Sequence, residues 1–300
     1  MPLGIDPKVD FAFKMVFGNP QHTGITIHFL NAALSLPAPI NWVEIINPIQ
    51  DKDRDESKLS VLDVLARDTN GHLYNIEMQT TLPTDLPKRL TYYNCLNYVR
   101  QIHEGSPYLD LRPAINICVL DRVLFPQAPE YHLSFRLRAD QRDLVFTNDL
   151  QFHLLELPKF TSPSDNVTTL PPLERWLYFL RHAEELEATE LTALLVEAEY
   201  QEATEVLEMI SRSPEDRRFY EARQKFLHDE EARLIQARAE AEAKGMEKGI
   251  EKGSVIGKIQ QLQDLLDLPQ QPISDLSQLD SDGLGSLLHE LQQRIRSRNG

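Results

Sequence analysis

The sequence predicts an α/β protein, with strands and flanking helices in its first half and a helical region after them. Three observations carry this expectation. Apolar patterns up to about residue 160 come in the order helix, β-hairpin, helix, strand. Beyond a Ser/Thr/Pro-rich stretch at 161–172 every apolar pattern has helical spacing. The 300 residues are 41% hydrophobic, enough for one large core or two ordinary domains, so neither disorder nor a disulfide miniprotein fits.

From Asp10 to Leu34, apolar residues at Phe11, Met15, Phe17, Ile25, Phe29 and Leu30 read as two helices around Gly18-Asn19-Pro20. Val43 to Ile46 is a short strand, and Leu59 to Arg67 is an almost wholly apolar run holding one acid, Asp63. Asp68-Thr69-Asn70-Gly71 is a turn, and Leu73 to Gln79 alternates as a half-buried strand does, completing a hairpin. Lys88 to His103 carries Tyr92, Leu96, Val99 and Ile102 at helical spacing and stops before Gly105, which reads as the helix behind the hairpin. Ala114 to Leu120 is a buried strand, and 131–156 supplies further strands. Helices are expected at Leu173–Glu187, Leu191–Ser211 and from Glu215 to about Leu268. The expected divisions are 1–165 for the sheet domain, 171–235 for a helical region, 236–268 for a charged glycine-repeat helix and 269–300 for a short helical end.

Cys95 and Cys118 are the only cysteines, without zinc-type spacing, which points to a reducing, cytoplasmic setting and no structural metal cluster. No apolar run approaches the roughly 20 residues of a membrane span, and the N-terminus lacks the pattern of a signal peptide. The net charge of −15 at first disfavours nucleic acid. It divides unevenly, however, as −5 over residues 1–170 and −10 over 171–300, so the sum does not exclude DNA.

An acid inside an apolar strand needs a partner, because an unpaired buried carboxylate is costly. If the turn is a three-residue loop with Gly71 left-handed, hairpin partners sum to 140 and Asp63 faces Glu77, roughly 5 Å away at Cβ. A two-residue Asn70-Gly71 loop would put them on opposite faces. Two facing carboxylates repel unless one is protonated or a cation lies between them, and Mg²⁺ or Mn²⁺ suits such oxygen ligands. Gln79 shares the face of Glu77 and can bind a water or a phosphate oxygen. As a bare pattern D-x13-E-x-Q is weak, and on spacing alone a buried acid satisfied by backbone amides or an arginine is the better reading.

Several segments occur in a telling order: Asp10-Phe11-Ala12-Phe13-Lys14 through Phe17-Gly18, Phe29 to Ala32, Lys58 to Val64, Gly71 to Gln79, and Arg89 to Tyr93. Together they resemble the Rpn family of recombination-promoting nucleases and transposases, a branch of the PD-(D/E)xK nuclease superfamily, over about residues 6–160. The resemblance implies a restriction-endonuclease-like core, a central mixed sheet flanked by helices, and a magnesium-dependent DNA endonuclease. By that resemblance Asp63 matches the metal-binding Asp and Glu77 the second acid, while Gln79 stands where the signature has lysine. Lysine brings a positive charge and glutamine only dipoles, so a substitute cation is expected from Lys88 or Arg89 at the start of the next helix, with Tyr93 beside Arg89. For Arg89 a surface ion pair or a phosphate anchor is an equal reading. The departure at Gln79 also leaves open a catalytically weakened nuclease fold that serves as a DNA-binding or protein-interaction module.

Asp10 and Lys14 lie one helical turn apart and can pair with each other, or one of them can border the metal site. Phe11, Phe13 and Phe17 read as core. In the tail, Gly245, Gly249, Gly253 and Gly257 repeat every four residues among Glu and Lys. Glycine costs a helix about 1 kcal/mol per position relative to alanine. The stripe therefore marks either close packing of two helices or a frayed charged helix; the first would make a homodimer through the C-terminal helices.

Overall fold

A computed structural model describes residues 1–34, 36, 38–47, 64–161 and 167–298. Asp63, Lys58 to Ser60 and the acidic stretch at 51–56 lie outside the described residues. Two compact units are present, Met1–His228 and Asp229–Gly300.

In the first unit, six described strands form one mixed sheet: β1 (Val43–Ile45), β2 (Val64–Asp68), β3 (Leu73–Gln79), β4 (Ala114–Leu120), β5 (His132–Arg138) and β6 (Val145–Glu156). Their order is β1-β2-β3-β4-β6-β5. β1, β2 and β3 are antiparallel neighbours, β3, β4 and β6 run parallel, and β5 closes the edge antiparallel to β6. All seven residues of β4 are buried, as befits a parallel strand covered on both faces. The β2–β3 turn is the three-residue loop: Gly71 has φ +83°, its N–H donates to the Asp68 carbonyl at 3.0 Å, and Asp68 N–H donates to the His72 carbonyl at 3.1 Å. Val64 accordingly pairs with Ile76 and Leu65 with Asn75, partners that sum to 140.

Alternation sends Tyr74, Ile76 and Met78 of β3 and Ile115, Ile117 and Val119 of β4 to one face. There they join α1 (Asp10–Phe17), α2 (Thr23–Leu34), α4 (Pro172–His182) and α6 (Ala198–Arg212) in the main core. Trp176 sits among Phe17, Phe29, Phe179 and Tyr200, and its indole N–H donates to His28 Nδ1 at 3.0 Å. Phe11, Phe13 and Phe17 are core, as expected. Helices α4 and α6 thus share a core with the sheet, and this unit runs on to His228, where the sequence suggested a break near 165. Between α4 and α6 the chain forms a short α5 (Ala188–Leu194), so the single helix expected over Leu191–Ser211 is interrupted.

The opposite face of the sheet is covered by α3 (Leu86–Val99), which contributes Leu86 and Leu90 to a smaller cluster with Cys118, Leu120 and Leu154. The face expected to be buried was Tyr92, Leu96, Val99 and Ile102, yet Tyr92 and Val99 are exposed. The helix instead buries Leu86, Leu90, Asn94 and Asn97. The sheet beneath is partly polar and calls for polar cover; the helix itself ends at Val99, capped by Arg100, before Gly105.

The long α7 (Pro214–Leu265) begins in the first unit, where Tyr220 is buried and its hydroxyl accepts from Asp6 N–H at 2.8 Å. In the second unit, α8 (Ile273–Gln278) and α9 (Ser281–Arg298) fold back on the end of α7, and Ile256, Ile259, Leu276, Leu284 and Leu291 make a small core.

Candidate active site

The polar face beneath α3 gathers Asn75, Glu77 and Gln79 of β3 and Asn116 of β4. Register alone brings the asparagines together, because Asn75 and Asn116 are direct partners across the parallel pair. Glu77 is buried. Its Oε1 accepts from Asn75 Nδ2 at 2.5 Å and from Asn116 Nδ2 at 3.4 Å, and the Gln79 side chain also hydrogen-bonds it. Burial pushes the Glu77 carboxyl above the usual range. The Asn75 hydrogen bond, the positive charge of Arg89 and the amides of Asn116 and Gln79 pull the other way.

Arg89 comes from the first turns of α3, which Pro87 and the preceding Pro83 help to set, and it is the cation that acts on Glu77. Lys88, one residue earlier, is exposed, and Tyr93, one turn later, is half-buried with its ring against Tyr92 at 5.3 Å. Asp63 lies outside the described residues, so its meeting with Glu77 is not among the observed contacts.

The first helix behaves differently from the expected i,i+4 pair. Asp10 is held by Arg223 of α7 through Nε and Nη2, and not by Lys14. A guanidinium fork matches a carboxylate better than a flexible ammonium one turn away does, and α7 brings it within reach. Lys14 is buried, and its side chain and that of Val64 both crowd Gly18: a Cβ there would meet Lys14 Cγ at 3.2 Å and Val64 Cγ2 at 3.1 Å. Lys14 and Val64 thus both border Gly18.

The sequence reading missed Asn75 and Asn116. Asn116 could have been found by the logic that singled out Asp63, since it is the one polar residue in Ala-Ile-Asn-Ile-Cys-Val-Leu. An apolar cleft of about 220 Å³ lies on the same sheet face, lined by Pro87, Leu90, Phe125, Phe135, Phe152 and Leu154 among others. No charged side chain lines it, so it is not where a phosphate would be held.

The donors around Glu77 are all oxygen or amide. The Oδ1 atoms of Asn75 and Asn116 are buried without a hydrogen-bond partner, which adds two carbonyl oxygens beside the carboxylate. Such a set fits a hard divalent cation such as Mg²⁺ or Mn²⁺, and not a thiophilic metal. Among the described residues no group of three His, Cys, Asp or Glu could hold an ion, so Glu77 would need a further acid from elsewhere in the chain.

A mixed six-stranded sheet flanked by helices, with a glutamate buried on its hairpin strand, is consistent with the PD-(D/E)XK nuclease fold. The family model for the PD-(D/E)XK nuclease family transposases matches residues 7–237, and the chain belongs to that family. Membership implies a nuclease linked to transposition, which acts on the phosphodiester bonds of DNA. No curated protein and no solved structure matches the chain. Among the described residues, no helix is long and apolar enough to cross a membrane.

Proposed function

We propose that the chain is a divalent-metal-dependent DNA endonuclease with Asp63 and Glu77 as its metal-holding acids. The observation that carries this reading is Glu77 itself, a buried carboxylate ringed by amide donors and facing Arg89. A carboxylate needed only for stability has no reason to sit there, because an apolar residue would avoid the desolvation. Asp63 precedes Val64, which pairs with Ile76, so one more step of the same register would bring Asp63 to Glu77. The ordered motifs from Asp10 to Tyr93 favour the Rpn branch of the family.

When bound, Mg²⁺ or Mn²⁺ would lower the pKa of its water and polarise the phosphate. The protein groups do the rest. Asp63 and Glu77 fix the ion, and Gln79 orients a water or a phosphate oxygen through its amide. Arg89 supplies the positive charge that Gln79 lacks and offsets the charge that gathers on the phosphate oxygens. Lys88, exposed at the start of α3, anchors a neighbouring phosphate, and Tyr93 borders the strand path. Lys14, buried on α1, borders the site.

The test is supercoiled plasmid incubated with the purified chain, with and without Mg²⁺, beside Asp63→Ala and Glu77→Gln. Nicking should require the metal and vanish in both variants; a variant that cuts as fast as the parent overturns the assignment. A second reading, a weakened nuclease fold kept as a DNA-binding or interaction module, is favoured by glutamine in place of lysine. It expects DNA binding without Mg²⁺-dependent nicking. We also propose that the chain works as a homodimer joined through the glycine stripe of α7.

A further inference from the structure

We propose that Asn75 and Asn116 are positioning residues that hold Glu77 for the cation. The proposal rests on the nuclease reading of Glu77 and extends it to two residues outside the acid pair. Three facts support it. Both amides donate to the same oxygen, Oε1, at 2.5 and 3.4 Å, so the direction of the other oxygen is fixed. The residues are direct partners in the β3–β4 register, on strands buried over nearly their whole length, so the clamp is built on rigid backbone. Each amide leaves its Oδ1 buried and unpartnered.

That last fact argues against a purely structural role. A buried unsatisfied acceptor costs about 1–3 kcal/mol, and a β-branched apolar residue would suit these strand positions better. The chain keeps two such acceptors side by side, both attached to one carboxylate. Free glutamate samples several rotamers, and fixing it beforehand lowers the entropy lost when a cation binds. Groups that orient a metal-binding carboxylate typically change metal affinity or activity by about 10–100-fold when removed.

The experiment uses the full chain and Mn²⁺ alone as the probe. Binding is measured by calorimetry for the parent, Glu77→Gln, Asn75→Leu and Asn116→Leu, with thermal melting to establish that each is folded. Each leucine variant should bind Mn²⁺ about 10–100-fold more weakly while still unfolding in one cooperative melting transition. In nicking, kcat should fall with KM for plasmid unchanged. If leucine is not accommodated, Asn116→Ala and Asn75→Ala make the same comparison. A folded variant that keeps parental Mn²⁺ affinity overturns the proposal. If Glu77→Gln also keeps it, the nuclease reading fails instead.

Discussion

Arg223 of α7 grips the carboxylate of Asp10 at the start of α1, residues 213 apart in sequence. Both side chains are only about one-fifth exposed, so the pair is shielded from solvent. It ties the first helix of the sheet domain to the first turns of the long helix. It also gives Asp10 a structural partner.

The pair should behave as a unit. Asp10→Ala and Arg223→Ala should each cost about 1–3 kcal/mol of stability, and the double variant should cost little more than either alone. Urea unfolding of the four proteins measures the coupling, which strict additivity would refute.

Much of the sheet domain could be read from the sequence because its signals are local. The Asp68-Thr69-Asn70-Gly71 turn set the hairpin register, and observed pairs from Val64–Ile76 onward follow it. The buried face of α3 could not be read this way. Its apolar spacing pointed to Tyr92 and Val99, whereas contact with a polar sheet face put Asn94 and Asn97 inside. Burial there depends on what lies across the gap, and periodicity carries no information about that. The same limit hid Asn75 and Asn116, whose role exists only where two strands separated by α3 come side by side. Arg223 escaped notice because its partner is more than two hundred residues away.

His153 gives the first unit an acid-sensitive point. It lies buried on β6 with Nδ1 2.9 Å from His132 Nε2, and its pKa is lowered from 6.5 to about 4 by burial and by the neighbouring His132 and Arg136. The unfolded chain takes up this proton near 6.5 and the folded chain only near 4. The stability it contributes is therefore complete above 6.5 and is lost as pH falls through that window, by about 3 kcal/mol in all. His153→Gln should flatten the parental loss of stability between pH 6.5 and 4. Equal pH slopes in denaturant unfolding of the two proteins would contradict this.

Asp6 acts in the opposite sense. Its carboxyl is raised from 3.8 to about 6, chiefly by burial, with Lys8 opposing. The folded chain holds this proton longer than the unfolded one, so ionisation lowers stability as pH rises from 3.8 to 6. Asp6→Asn keeps the oxygen that accepts from Lys8 N–H and removes the charge. It should raise stability by about 1–3 kcal/mol at pH 7 and leave it unchanged near pH 3.5. A variant that is less stable at pH 7 would show that the Lys8 ion pair outweighs desolvation.

The glycine stripe of α7 makes its own prediction. A Cβ added at Gly245, Gly249, Gly253 or Gly257 would meet nothing within 4 Å, while Met246 and Ile250 beside them are exposed. Four residues advance about 400° along a helix, so the glycines drift slowly around one side. Within a lone chain each glycine only weakens the helix, by about 1 kcal/mol relative to alanine. Replacing Gly249 and Gly253 by leucine should therefore make an isolated helix more stable, but it should block close approach of a second copy. The full chain should be dimeric in light scattering. Both the leucine variant and a chain ending at His228, where the first compact unit ends, should be monomeric. A full chain of monomeric mass, or a leucine variant that stays dimeric, would remove the stripe as the site of association and leave it a frayed, solvated helix.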